Sequence, residues 1–125
     1  MLGITSGVDL LQIDRLTRLN PAIKARFLAR VFTPREIDEC ADRDDSLAGH
    51  FAAKEATAKA LGCGIGEVGW KEIEILADER GKPCLLLHAS AQETAKQAGW
   101  ISWSVSISHT KDHAVAMVTA LYDRG

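Results

Sequence analysis

The sequence predicts a small single α+β domain, antiparallel strands packed on helices, on three observations. Helical signals cluster in the first half of the chain and strand signals in the second, a partial segregation that favours α+β over a doubly wound parallel sheet. Near the C-terminus, in WISWSVSISHT, Ile101, Trp103, Val105, Ile107 and His109 alternate with Ser102, Ser104, Ser106, Ser108 and Thr110. A turn at Lys111-Asp112 then leads into HAVAMVTAL, which reads as a hairpin. Finally, 125 residues without repeat, linker or low-complexity stretch suit one domain spanning 1–125.

Each element has a local cause. GITSGVDL (residues 3–10) reads as a strand with Ile4, Val8 and Leu10 on one face and Asp9 on the other. Asn20-Pro21 supplies a cap and a first-turn proline for a helix with Ile23, Phe27 and Val31 as its apolar stripe. Thr33-Pro34-Arg35-Glu36 matches a capping box and starts a short helix at Pro34. A longer helix is expected from about Ser46 to Leu61, closed by Gly62. Ile73 and Ile75, alternating with Glu72 and Glu74, mark a strand; Asp78-Glu79-Arg80-Gly81 turns the chain into a second, Cys84–His88. Ala89–Ala98 reads as a helix ended by Gly99.

Composition narrows the function classes. A net charge of −2 argues against a basic-patch nucleic-acid binder. No apolar run approaches the roughly 20 residues of a membrane span, and MLGITSGVDL lacks the features of a signal peptide. Cys40, Cys63 and Cys84 are scattered without a Cys-x-x-Cys pair, a reduced, cytoplasmic pattern offering no zinc or disulfide framework. His109 and His113 have the spacing of a helical metal pair but straddle the hairpin turn, and His88 ends an apolar strand, which suits a structural role.

The helix HFAAKEATAKALG (50–62) is the first candidate for chemistry. At about 100° per residue, Ala52, Ala53, Ala56 and Ala60 share one arc, with Glu55 and Lys59 along its edge. The arc permits close backbone approach. Taken alone, the helix is equally a tightly packed one with an ordinary Glu-to-Lys i,i+4 pair worth a few tenths of a kcal/mol.

Three stretches occur in order: GVDLLQIDR, FAAKEATAKALGCGIG and SVSISHTKDHAVA. Together they resemble the holo-acyl-carrier-protein synthases, bacterial 4′-phosphopantetheinyl transferases. The family pattern of G-x-D, F-x-x-K-E-A-x-x-K-A and S-x-S-H becomes Gly7-Val8-Asp9, Phe51–Ala60 and Ser106-Ile107-Ser108-His109. RFLARVFT, Trp70–Ile75 and Gly81-Lys82-Pro83 extend the likeness over nearly the whole chain.

The resemblance implies a cytoplasmic enzyme of fatty acid biosynthesis. It would move 4′-phosphopantetheine from coenzyme A to a serine of apo acyl carrier protein and release adenosine 3′,5′-bisphosphate. It further implies Mg²⁺, with Mn²⁺ as a substitute, held by Asp9 and Glu55. Lys59 would stabilise the transferring phosphate, since positioning and electrostatics carry most of phosphoryl transfer. Glu55, a metal-bound water or Lys59 are the alternatives for the base. His50, Lys54, Lys59, Gly62, Pro83, His109 and Thr110 would contact coenzyme A, Lys54 being on residue type alone equally a solvated lysine. Arg15, Arg26 and Arg30, with Phe27 as apolar anchor, would dock the acidic carrier protein.

The resemblance also implies a homotrimer with active sites between subunits. That would give the alanine arc and the serine-lined strand a neighbour to pack against, and would allow Asp9 from one chain to meet Glu55 from the next. Two departures stand out: His50 where many members carry arginine, and Cys63 where threonine is usual. A non-enzymatic trimeric binding module and a metal-dependent phosphohydrolase are the competing readings.

Overall fold

The computed structural model describes all residues, Met1–Gly125. Strand β1 (Leu2–Gln12) is followed by a one-turn helix α1 (Asp14–Thr17), then α2 (Pro21–Val31), α3 (Pro34–Cys40) and the long α4 (Asp44–Leu61). A 3₁₀ turn at Trp70–Glu72 enters the hairpin β2 (Ile73–Ala77) and β3 (Pro83–Leu87), and α5 (Ala89–Gln97) precedes the hairpin β4 (Trp100–His109) and β5 (His113–Asp123). β1, β5 and β4 form one antiparallel sheet in that order, with Asp9 opposite Ala116 and Ala116 opposite Ile107. β2 and β3 pair separately.

The caps form as the sequence predicts. Asn20 Oδ1 accepts from the Ala22 amide at 2.8 Å. Thr33 Oγ1 accepts from the Glu36 amide at 3.2 Å while Glu36 Oε1 accepts from the Thr33 amide at 2.9 Å, a complete capping box. Gly62 ends α4 at φ 75°, a left-handed conformation that favours glycine.

α4 crosses the inner face of the three-stranded sheet diagonally. Its first half meets β4, where a Cβ on Gly49 would lie 2.7 Å from Ile107 Cγ2. Its last turns meet β1, where Thr5 Oγ1 donates to Ala60 O at 2.9 Å. The alanine arc is therefore filled by the chain's own sheet: Ala52, Ala53, Ala56 and Ala60 are buried against Val105, Ala116, Val118 and Ala120. This corrects the expectation that the arc awaits a neighbouring subunit. A Cβ on Gly7 would sit 2.0 Å from Ala56 O, so the first motif's glycine is a packing requirement. Gly7→Ala is expected to cost about 1–3 kcal/mol or more by overpacking, measurable as a lower urea midpoint. A midpoint equal to the parent's would mean that helix and strand can separate freely.

The same sheet leaves its outer face uncovered. Leu2, Ile4, Val8 and Leu10 of β1 join Met117 and Leu121 of β5 there, each more than a third exposed. The predicted division of β1 into an apolar face and an Asp9 face holds, but it is the Asp9 face that packs inward on α4. On β4 a bulge between Trp100 and Ser102 breaks the alternation. Trp100 is buried and Ile101 turns outward, so the expected alternation does not run unbroken from Ile101. On α2 the stripe shifts as well: Val31 is buried, whereas Ile23 is 48% exposed. No helix is long and apolar enough to cross a membrane.

Candidate active site

The three residues expected to carry chemistry meet on the β1 edge of the sheet. Asp9 projects from the inner face of β1, and α4 brings Glu55 and Lys59 beside it, one turn apart on nearly the same face. Lys59 Nζ lies 3.0 Å from Asp9 Oδ1 and donates to Val8 O at 2.9 Å. The lysine thus pairs with Asp9, fifty residues away, and not with Glu55 on its own helix. Burial first, and then the neighbouring negative charge of Asp9, push the Glu55 carboxyl above its ordinary range, with Lys59 partly offsetting them. All three approach one another within a single chain, so Asp9 and Glu55 need no neighbouring subunit to meet.

This donor set suits Mg²⁺, which takes one or two carboxylates and completes its shell with water and substrate phosphate. No third acidic, histidine or cysteine side chain joins them, so there is no all-protein cage for a larger cation. The Asp9 charge that helps raise the proton affinity of Glu55 also marks a place where an added cation relieves repulsion.

The expected coenzyme A residues divide into groups. His50, Pro83 and His109 line one cleft of about 350 Å³ together with Arg43, Asp45, Glu39 and Gly81. Thr110 lines an adjoining, more open cleft with His109, Arg43 and Lys111. Both lie toward the β4 edge. His50 and Glu55 are five residues apart on α4, about 140° around the axis, which explains why they serve opposite edges. Gly62 is at the far end of the helix, near Lys59.

Lys54 belongs to neither group, and this is the clearest correction. Its side chain is 0% exposed and lies 2.7 Å from the equally buried Glu36 carboxylate. The ammonium donates its remaining hydrogens to Trp70 O at 3.0 Å and to Ile73 O. Glu36 Oε2 in turn accepts from the Ile75 amide at 3.1 Å. With three acceptors engaged, Lys54 can reach neither coenzyme A nor solvent. It ties α4 to α3 and β2. Burial lowers its pKa chiefly, with Glu36 opposing.

Beside this pair Glu74, on the polar phase of the β2 alternation, is buried as well, its carboxylate accepting from Thr33 Oγ1 at 2.6 Å and lying 3.0 Å from His88 Nε2. The structural role expected of His88 has this partner. The capping box made Glu36 visible in the sequence, but its partner eighteen residues on was not.

The arginines expected to dock a carrier protein, Arg15, Arg26 and Arg30, are exposed, and none is in an ion pair. Phe27 does not stand free beside them. Its ring packs edge-on against Phe32 and Phe51, at 6.1 and 5.3 Å between centroids, and stays half-buried at the margin of the core. Ile23 is the exposed apolar residue on α2, sharing a face with Arg26 and Arg30 at i, i+3 and i+7. Arg43 and Asp45 in the histidine cleft went unnoticed in the sequence, because nothing local distinguishes them from solvated residues at a helix start.

Known proteins match along nearly the whole chain. A synthase from Herpetosiphon aurantiacus, holo-[acyl-carrier-protein] synthase, is 44% identical over 125 residues, covering 94% of this chain and 98% of its own. A Moorella thermoacetica protein of the same name is 43% identical, covering 96% and 94%. The crystal structure of the Helicobacter pylori holo-[acyl-carrier-protein] synthase in complex with coenzyme A superposes with a TM-score of 0.83 at 35% identity, over 92% of this chain and 98% of that one. The family profile of the 4′-phosphopantetheinyl transferase superfamily matches residues 6–118, a span that contains all three motifs. The chain belongs to the 4′-phosphopantetheinyl transferase superfamily.

Proposed function

We propose that this protein is a holo-acyl-carrier-protein synthase, transferring 4′-phosphopantetheine from coenzyme A to a serine of apo acyl carrier protein. The observation that carries this reading is the convergence of Asp9, Glu55 and Lys59, from motifs fifty residues apart, on one edge of a fold whose relatives include coenzyme A complexes. In the reaction the serine oxygen forms a bond to the phosphorus bearing pantetheine. The bond from that phosphorus to the oxygen bridging it to the adenosine phosphate breaks, leaving adenosine 3′,5′-bisphosphate.

Asp9 and Glu55 would hold Mg²⁺, which when bound supplies positive charge against the pyrophosphate oxygens. Lys59, half exposed and already donating to two oxygens, holds a further positive charge where phosphate charge accumulates. The test is mass spectrometry of apo carrier protein incubated with coenzyme A and Mg²⁺. A transferase adds one phosphopantetheine to the carrier protein; a phosphohydrolase releases it to water and a binding module does neither. Lys59→Ala should lower turnover by about 10²-fold or more. The thermal midpoint should barely move, because an exposed pair contributes about 1 kcal/mol or less. A stable variant at near-parent rates would return Lys59 to an ordinary helix surface.

The enzyme is further proposed to act in the cytoplasm, in fatty acid biosynthesis, as a homotrimer. Two features support the trimer: the apolar outer face of β1 and β5, and the placement of the carboxylate pair and the histidine cleft on opposite sheet edges. Neighbouring copies joined through that face would bring one chain's Asp9, Glu55 and Lys59 near another's His50, Pro83 and His109.

Arg15, Arg26 and Arg30, with Ile23 among them, form the proposed docking surface for an acidic carrier protein. The triple alanine variant should raise the carrier-protein KM and leave the coenzyme A KM unchanged. The difference should shrink with salt, because screening shortens to about 8 Å near physiological ionic strength. A normal carrier-protein KM at low salt would place docking elsewhere.

A further inference from the structure

The inner face of β1 meets the last turns of α4 in steps of two residues. Thr5, half-buried, donates from Oγ1 to Ala60 O at 2.9 Å. Gly7 sits between Ala56 and Ala60, where a Cβ would lie 2.0 Å from Ala56 O and 2.8 Å from Ala60 N. Asp9 then meets the Lys59 ammonium. Helix numbers fall as strand numbers rise, so the end of α4 runs antiparallel to β1.

Side-chain shape does little to set how far along the strand the helix sits. The helix side of the contact is Ala52, Ala53, Ala56 and Ala60. Such small side chains allow close approach but raise only shallow ridges, which resist sliding weakly. Gly7 sets the distance between helix and strand; a directional bond must set the register. Thr5 makes the one hydrogen bond from a sheet side chain to the α4 backbone. Lys54 anchors the helix too, but to α3 and β2, on another face and nearer its middle.

The carbonyl that Thr5 holds has no partner within the helix. At the end of α4 the Gly62 and Cys63 amides turn back to Lys59 O and Ala58 O, which leaves Ala60 O to the threonine. Ala60 is also the residue next to Lys59. A helical side chain leans toward the helix N-terminus, here the direction of Asp9, and the ammonium reaches Val8 O and Asp9 Oδ1. Fixing Ala60 O fixes the base from which that side chain reaches.

We propose that Thr5 is a positioning residue for Lys59, its hydroxyl setting the register of α4 on β1 and so the place of the ammonium beside Asp9. The inference rests on the transferase reading above. Valine at this position keeps the branched shape and removes the donor, whereas serine keeps the donor.

The experiment is steady-state transfer by the full-length parent, Thr5→Val, Thr5→Ser, Lys59→Ala and the Thr5→Val/Lys59→Ala double variant. Each is assayed well below its melting midpoint by circular dichroism. Thr5→Val should lower kcat by about tenfold and leave both KM values within about twofold, since a misplacement of about 1 Å can cost ~10²-fold. Thr5→Ser should stay within about twofold of the parent kcat. In the Lys59→Ala background the valine should cost nothing further, because no lysine is left to position. A purely structural Thr5 would lower the melting midpoint and leave the kcat of the folded protein alone. If Thr5→Val does not fold, Thr5→Ala takes its place with the same outcomes read. A parent kcat in Thr5→Val, a Thr5→Ser as slow as Thr5→Val, or losses that multiply in the double variant each overturn the proposal while leaving the transferase reading intact. No transfer by the parent overturns that reading and the proposal together.

Discussion

Asp9→Asn and Glu55→Gln are each expected to nearly abolish phosphopantetheine transfer, and the two should differ in what they do to stability. The carboxylates share one cation site in the proposed mechanism, so removing either charge leaves the pyrophosphate without its counter-charge. Losses of about 10²–10³-fold or greater are the scale of removing one such electrostatic stabiliser. Chelation by EDTA should mimic either variant in the parent protein.

Stability separates the roles. Glu55 has a raised folded-state pKa, from burial and from Asp9. Its ionised form is therefore costlier in the folded protein than in the unfolded chain. The cost is absent while the group is protonated in both states and grows as pH rises through and above the carboxylate range. Without metal, Glu55→Gln should melt at or above the parent at pH 7.5, and the gain should vanish toward pH 4. Asp9→Asn removes the partner of Lys59 and should bring no comparable gain. Full transfer in either variant, or in EDTA, would take these residues out of the metal site; a Glu55→Gln variant that melts well below the parent would contradict the repulsion between the carboxylates.

The largest stability effect is expected at Lys54, next door in sequence and on another face of α4. Lys54→Ala leaves the Glu36 carboxylate buried without its cation and strips Trp70 O and Ile73 O of their donor. Breaking one side of a buried ion pair costs about 3–5 kcal/mol. That is a large fraction of the roughly 5–15 kcal/mol a domain has in total, so the variant should be largely unfolded at 37 °C or accumulate poorly.

Lys54→Met combined with Glu36→Gln should recover part of the loss. The amide neutralises the stranded charge and still offers an acceptor to the Thr33 or Ile75 amide. Urea midpoints of the single and double variants make the comparison. A Lys54→Ala midpoint within about 1 kcal/mol of the parent would mean that water enters and solvates Glu36. The contrast with Lys59→Ala is informative, since two lysines five residues apart on one helix should fail in opposite ways. One loses stability and the other turnover.

Much of the fold follows from short-range signals. Proline and asparagine at the start of α2, the Thr33–Glu36 capping box and Gly62 in left-handed conformation each satisfy backbone groups within a few residues, so local sequence suffices to place them. The serine alternation of β4 likewise marks a strand with one wet face. By itself, the sequence also determined the identity of Asp9, Glu55 and Lys59 as candidates, through motifs whose order and spacing mark a family.

Other features depend on which surfaces meet, and only the tertiary structure decided them. Lys54 and Lys59 are the same residue type on the same helix. One is buried because α3 and β2 close over its face with a carboxylate and two carbonyls, and the other is half exposed because β1 is an edge strand. The alanine arc reads identically whether its neighbour is another subunit or the chain's own sheet; Gly7 lying against Ala56 settled it inward. Phe27 is half-buried at the margin of the core because Phe32 and Phe51 reach it from α2's end and from α4. The division of the candidate coenzyme A residues between two sheet edges comes from the diagonal path of α4. Helical periodicity gives the angle between His50 and Glu55, but the strand waiting on each side is set by long-range pairing, β1 with β5 and β5 with β4, that no local signal encodes.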